Sequence, residues 1–462
     1  MQLLGQKMPA LFSKPRHLVQ KIGANLRLAR RDPEQFGRNL AQFTNPELFE
    51  RRLMDVIHTT PMHVRYSDQH LPGPVRLNVL DASWSPRGMT GGPNTVINLA
   101  CRVAQRGIAV RLVSTADQVR LDPAWLRAHA QTLVGEETIP EIELLSAADR
   151  ERPLEVGPKD VFLATHWRTA QQLKPVLPLL PNRQFFYMLQ DFEPGFYSWS
   201  SNYALAVETF NLDFWPIINE STLARYIFAQ PFGRLGDPVL HERAMVFEPA
   251  VDRSLFHPAP VPSRARRRLL FYARPSGSSA RNMVGLGLLA LRQIAATPVF
   301  KNWEFLSIGS REGIPELSLG NGHKLIPAPW MGYKGYADLL READVLLCPM
   351  LSPHTSYPVL EMAACGGLAV TNSFVTKTQD MLQKLSPNII AAEPTVEGLA
   401  EGTLQAARRV TEGIGKGRHG RLNMPSDWAS SLGPVASRMV EVIEQMTGGV
   451  SLVRPSAAAV PC

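Results

Sequence analysis

The chain has 462 residues, 45% of them apolar and 19% charged, with a net charge of +8 and four scattered cysteines. Such a length suits two or three domains, and the cysteine spacing excludes a zinc module or a disulfide scaffold. No stretch approaches the ~18 uninterrupted apolar residues of a membrane span.

The charge is local. Residues 1–31 carry Lys7, Lys14, Arg16, Lys21, Arg27, Arg30 and Arg31 and no acid, so the rest of the chain is close to neutral. A basic nucleic-acid surface is therefore not expected. The segment suits a contact with an anionic membrane surface, at ~1 kcal/mol per charge, or a solvated basic extension, and the sequence leaves both open. Leu18 to Leu28 and Leu40 to Ile57 have helical apolar spacing, and Asn45-Pro46-Glu47 supplies a cap for the second. Residues 1–60 thus read as a basic helical extension.

Val75 to Leu80 is a short strand pattern, followed by a loop from Ser83 to Gly92, a helix from Asn94 to Gln105 and a strand from Ile108 to Val113. Strand, loop, helix and strand in about 40 residues make a βαβ unit, whose usual home is a parallel sheet. Further strands are expected at Asp160 to Ala164 and Gln184 to Leu189, giving a Rossmann-like domain over 61–250.

Pro249 to Pro262 contains four prolines and reads as a linker, with its core at 251–263. A second α/β series follows over 264–425. Strands are expected at Leu269 to Tyr272, Trp303 to Ile308, Val345 to Cys348 and Leu368 to Val370. Helices are expected at Met283 to Ile294, Tyr336 to Glu342, Val359 to Ala364 and Glu397 to Val410. Ser426-Asp427-Trp428 opens a last helix over 426–446, and the Gly/Ser/Pro/Ala-rich stretch 447–462 is expected to be disordered. The fold class is α/β, with two Rossmann-like domains facing across a cleft.

Three motifs bear on chemistry. Gly88-Met89-Thr90-Gly91-Gly92 lies between strand and helix, where glycine admits close approach of a ligand; a tight structural turn fits equally. It is not GxGxxG, and Thr115-Ala116 stand where a ribose-binding acid would be needed, so a nicotinamide cofactor is not expected. Arg274 directly follows a strand, with Arg281 seven residues on and a Gly/Ser loop between them. Two guanidinium groups so placed suit a diphosphate and could neutralise a departing nucleotide without a metal; two surface arginines would look the same. In Ser356-Tyr357-Pro358-Val359-Leu360-Glu361-Met362-Ala363-Ala364-Cys365-Gly366, Pro358 marks a helix start whose amides face a phosphate. Glu361, one turn in, can accept both hydroxyls of a ribose, or it simply answers the helix dipole.

Together with Gly309, Ala343-Asp344, the linker Pro249-Ala250-Val251-Asp252 and Ser426-Asp427-Trp428, these motifs resemble GT-B glycosyltransferases, notably family 4. The segment Tyr187 to Tyr197 (Tyr-Met-Leu-Gln-Asp-Phe-Glu-Pro-Gly-Phe-Tyr) is similar to the WsaF-type rhamnosyltransferases, and the similarity runs over roughly 74–445. The resemblance implies a GT-B fold in which the last helix crosses back to the first domain. It also implies a nucleotide diphosphate-sugar donor, dTDP-linked L-rhamnose in that group, and a saccharide or lipid-linked glycan acceptor. Family 4 carries a Glu-x7-Glu pair, but here Pro353 stands eight residues before Glu361, with His354 beside it. Gln190 stands where many relatives have His before the aspartate.

The resulting expectations are specific. The donor is held by Arg274, Arg281, Lys334, Tyr357, Glu361 and Gly309. The acceptor lies near Gly91, Gly92, Gln190 and Glu193, and Asp191 or His166 orients or deprotonates its hydroxyl. Residues 184–226 hold twelve of the chain's 36 aromatic residues, as core or as an acceptor groove. No cofactor or metal is expected, and the compartment is expected to be cytoplasmic, with residues 1–31 either against the inner face of the membrane or solvated. An epimerase of the same fold and an inactive glycan-binding scaffold remain alternatives.

Overall fold

The computed structural model describes residues 29–33, 36–37, 62–67, 74–86, 89, 91–116, 121–135, 139–149, 151–259, 266–275, 277–310, 314–413 and 419–448. Two compact units are distinguished, Met1–His58 and Thr59–Cys462. The helices expected at 18–28 and 40–57 and the tail beyond residue 448 lie outside the described residues. Among the described residues no helix is long and apolar enough to cross a membrane.

The second unit contains two seven-stranded sheets, each the centre of one lobe. The first lobe carries β1 (Val64–Tyr66), β2 (Arg76–Asp81), β3 (Ala109–Ser114), β4 (Ile142–Ser146), β5 (Leu154–Val156), β6 (Asp160–Ala164), β7 (Phe185–Leu189), β8 (Phe214–Asn219) and β9 (Met245–Phe247). Its sheet runs β4-β3-β2-β6-β7-β8-β9, parallel throughout, and β1 pairs separately with β5. The inner strands are nearly continuous apolar runs because helices cover both faces. Polar groups fix the register at one end: Arg76 donates twice to the Asp160 carboxylate, at 2.9 and 2.6 Å, and Asn78 adds a third bond at 2.9 Å.

The second lobe carries β10 (Arg267–Tyr272), β11 (Trp303–Ile308), β12 (Leu317–Gly320), β13 (His323–Pro327), β14 (Val345–Leu347), β15 (Leu368–Asn372) and β16 (Ile389–Ala392), in the order β12-β13-β11-β10-β14-β15-β16. Only the β12/β13 edge pair is antiparallel. The helices, in chain order, are α1 (Gly91–Ala104), α2 (Pro123–Val134), α3 (Trp167–Leu173), α4 (Ser201–Glu208), α5 (Ser221–Phe228), α6 (Pro238–Arg243), α7 (Val284–Ile294), α8 (Tyr333–Glu342), α9 (Tyr357–Ala364), α10 (Gln379–Leu385), α11 (Val396–Thr411) and α12 (Trp428–Met446).

Helix α12 opens on Asp427, whose carboxylate accepts the Ser430 amide at 2.8 Å, an N-cap of the usual kind. Its apolar face, including Leu432, Val435, Ala436, Met439, Val442 and Ile443, belongs to the core of the first lobe, although the helix follows the second. The chain thus passes between the lobes twice, and the two passages lie side by side. The Val251 amide donates to the Pro425 carbonyl at 2.9 Å, and the Ser431 hydroxyl donates to the Glu248 carbonyl at 2.5 Å. The first part of the Pro-rich linker is not free chain. Val251 and Phe256 are buried in the second lobe's core, and Arg253 donates to the Gly420 and Leu422 carbonyls.

Candidate functional site

In each sheet the strand order reverses at one point, where strand ends diverge and leave a crevice. In the second lobe that point lies between β10 and β14. Arg274 follows β10, and its side chain hydrogen-bonds the Tyr272 phenol. Gly309 directly follows β11 with φ +93°, where a Cβ would stand 2.7 Å from the Tyr272 ring, so glycine alone fits that turn. After β14 the chain runs from Cys348 to Ser356 and enters α9.

Glu361 sits one turn into α9, buried. It accepts hydrogen bonds from Tyr336 at 2.9 Å and Tyr333 at 3.3 Å. Burial pushes its carboxyl up to about 7, against the two phenols, which pull it down. The entry to α9 is held in a conformation rare for a residue with a side chain: Ser356 has φ +81°. Of the amides leading into the helix, Thr355 donates to Glu220 Oε1 at 2.8 Å and Ser356 to His354 Nδ1 at 2.9 Å.

In the first lobe the order reverses between β2 and β6. Thr165, just past β6, donates to the Asp81 carboxylate at 2.9 Å. His166 caps α3; burial lowers its pKa, and Asp81 opposes that shift. Glu193 accepts the Trp167 amide at 2.6 Å and is buried so completely that its carboxyl is pushed up to about 8. Gln190 and Asp191 follow β7, one strand over.

The two sets meet. Asp191 Oδ2 lies 3.0 Å from Arg281 Nε, and Asp191 Oδ1 accepts the Ser352 hydroxyl at 2.5 Å. Arg281 also stacks over the Phe196 ring, 3.9 Å from its centroid. Tyr357, from α9, accepts from Asn219 Nδ2 at 2.8 Å and lies 3.2 Å from Thr95 Oγ1. Its ring fills the space in front of Gly91, where a Cβ would be 2.7 Å away; at Gly92 a Cβ would be 3.3 Å from Gln190 Nε2. Beneath lies Lys377, fully buried, donating to the Met350 carbonyl at 2.7 Å. Burial pulls its amine down to about 8, while Cys348, Glu220 and Asp191 pull it up. Among the described residues, no group of three or more His, Cys, Asp or Glu is placed to hold a metal.

Several expected residues therefore stand together: Asp191, Arg281 and Tyr357 between the lobes, with Gly91, Gly92 and Gln190 beside them. Glu361, Arg274 and Gly309 line the second lobe's crevice, and His166 and Glu193 form a group around Trp167. Lys334 is different. Helix α8 starts at Tyr333, so Lys334 is exposed in its first turn. Helix α1 also starts earlier than expected, so Gly91 and Gly92 belong to its first turn rather than to a loop; Gly88 and Thr90 lie outside the described residues. Ser352, Lys377, Tyr333, Tyr336, Asn219 and Glu220 were not anticipated. Asn219 ends β8 and Glu220 follows it; the strand's run Phe-Trp-Pro-Ile-Ile-Asn contains Pro216, and the strand is paired on both sides. Proline there argues against a strand, which hid the position.

The comparisons agree with this architecture. A family model described as the WsaF N-terminal domain matches residues 76–219, and one described as the WsaF C-terminal domain matches 267–404. The O-antigen biosynthesis protein RfbC of Myxococcus xanthus is 34% identical over 249 residues, which is 52% of this chain and 17% of RfbC; the chain thus spans about a sixth of that relative. Sucrose-phosphate synthase of Thermosynechococcus elongatus superposes with a TM-score of 0.54 at 12% identity, covering 81% of this chain and 100% of the other. A glycosyltransferase of Rickettsia africae superposes at 0.50 with 11% identity (82% and 100% covered). Anabaena HepE, solved with UDP and glucose, does so at 0.50 with 15% identity (81% and 98%). The fold is GT-B.

Proposed function

Since the chain belongs to the WsaF family, we propose that it is a glycosyltransferase of polysaccharide biosynthesis, moving a sugar from a nucleotide diphosphate-sugar to a hydroxyl of a saccharide or lipid-linked glycan. The observation that carries this is the meeting of Asp191 from one lobe with Arg281 from the other, at 3.0 Å. A base for the incoming hydroxyl and a cation for the outgoing diphosphate have to border the same crevice from the two lobes if one sugar carbon is to exchange one oxygen for another, and this contact supports that reading.

Glu361 accepts the ribose hydroxyls, and Arg274, Arg281 and the Tyr357 amide hold the diphosphate, with Gly309 leaving room beside Tyr272. Gly91, Gly92, Gln190 and Glu193 border the acceptor side. Asp191 takes the proton as the acceptor oxygen bonds to the anomeric carbon and the bond from that carbon to the phosphate oxygen breaks. His166 is the second candidate for that role. Arg281 leaves Asp191 for the developing phosphate charge, which frees the carboxylate when the donor is in place. Closure of the lobes excludes water and limits donor hydrolysis. The donor of this reading is dTDP-L-rhamnose. Residues 1–31 hold the enzyme on the anionic cytoplasmic face of the membrane, near a lipid-linked acceptor.

The test is nucleotide diphosphate release from a panel of sugar nucleotides, with and without acceptor glycan. Release that requires acceptor supports the reading. An isomerised sugar formed without acceptor makes the protein an epimerase. Glycan synthesis that survives both Arg274→Ala and Glu361→Ala makes it a scaffold.

A further inference from the structure

Glu220, between β8 and α5, has φ +76°, a backbone conformation that residues with side chains rarely hold. Its carboxylate is 2% exposed and is used unequally. Oε1 accepts three hydrogen bonds: from the Thr355 amide at 2.8 Å, the Thr355 hydroxyl at 2.9 Å and the Thr222 hydroxyl at 2.5 Å. Oε2 has no hydrogen-bond partner among the described residues and stands 3.9 Å from His354 Nε2. Asn219, immediately before it and 1% exposed, repeats the pattern: Nδ2 donates to Tyr357, and Oδ1 is unpartnered among the described residues.

Buried acceptors without donors are rare and call for an account. Three bonds to Oε1 fix the carboxylate's orientation, so the bare position of Oε2 is not a matter of a free rotor. Both bare oxygens stand beside the residues that lead into α9. A diphosphate held at the start of α9 puts its sugar next to them. An anion is excluded as their partner, because a carboxylate repels it; hydroxyl groups, which donate, satisfy both oxygens.

We propose that Glu220 and Asn219 are specificity-determining residues that accept hydrogen bonds from hydroxyl groups of the transferred sugar. The proposal rests on the glycosyltransferase reading and adds to it a contact made by the first lobe on the donor. Glu220 thereby reads the hexose, while the second lobe reads the nucleotide.

The experiment is calorimetric titration of the full chain with dTDP, dTDP-L-rhamnose, UDP and UDP-glucose. The wild type is expected to bind at least one sugar nucleotide more tightly than its parent diphosphate. Glu220→Gln keeps an acceptor at Oε1 and turns Oε2 into a donor. It is expected to weaken that sugar nucleotide about tenfold while leaving the diphosphate within about twofold. Thr355→Val removes a bond to Oε1 but leaves Oε2 untouched, and is expected to keep the sugar preference; a purely structural Glu220 would make the two variants alike. The inference is overturned if Glu220→Gln retains the preference, if the two variants behave alike, or if the wild type binds neither sugar nucleotide more tightly than its diphosphate. Wild-type protein that binds no diphosphate at all removes the glycosyltransferase reading itself, and the inference with it.

Discussion

Asp191 faces Arg281 at 3.0 Å and Ser352 at 2.5 Å, so the first lobe's candidate base is bound by side chains of the second lobe, with the Phe192 amide at 2.8 Å as its first-lobe donor. Replacing it by Asn removes the charge and keeps the shape. Asp191→Asn is expected to lower acceptor-dependent turnover about 10²–10⁴-fold, the usual weight of a general base. The same change releases Arg281, so diphosphate affinity is expected to hold or rise. Both are read by coupling nucleotide release assays with calorimetry.

Glu361 gives a stability signature of its own. Burial raises the folded carboxyl to about 7 from an ordinary value of 4.5. The contribution of this group to stability is therefore fully present below the lower value and is lost as pH climbs through the upper one. Glu361→Gln has no such loss. Its stability relative to wild type is expected to grow between pH 5 and 8 by on the order of 2 kcal/mol. Nucleotide affinity is expected to fall about tenfold, since an acceptor for ribose becomes in part a donor. Chemical denaturation across pH checks the first and titration the second.

Tyr336 donates to Glu361 at 2.9 Å and thereby favours its charged form. Tyr336→Phe keeps the ring against Phe256 and deletes the donor. The carboxyl is then expected to titrate higher, and the pH midpoint of nucleotide binding to move up by about one unit. A midpoint that stays put would separate Glu361 from nucleotide binding.

Gly309 combines φ +93° with a Cβ position 2.7 Å from the Tyr272 ring. Gly309→Ala is expected to cost about 1–3 kcal/mol in denaturant unfolding, through both strain and displacement of Tyr272. Because Arg274 hydrogen-bonds Tyr272, diphosphate affinity is expected to fall as well.

Both βαβ series, their strand–loop–helix order and the last helix were legible, because buried parallel strands are short apolar runs and Asp427 is a strong helix cap; the helix's return to the first lobe was implied by the resemblance to GT-B glycosyltransferases. The residues of the second lobe's crevice were legible too, since Arg274 and Glu361 lie at fixed offsets from such runs. The interlobe partners were not. Ser352, Asn219, Glu220 and Lys377 come together only through folding of segments more than a hundred residues apart, and no local spacing encodes that. Starts of helices were placed late where glycine or tyrosine opened them, as at Gly91, Tyr333 and Tyr357, because none of these is a strong local start signal. The same early start places Lys334 in the exposed first turn of α8.

The paired passages at Glu248–Val251 and Pro425–Ser431 act together like the two leaves of a door hinge. One thread alone would let the lobes swivel and twist; two adjacent threads, bonded to each other, resist torsion and leave essentially a single swing. A molecule touching both jaws then has little rotational freedom to remove, so even weak contacts at the mouth of the crevice can bias the whole assembly toward shutting.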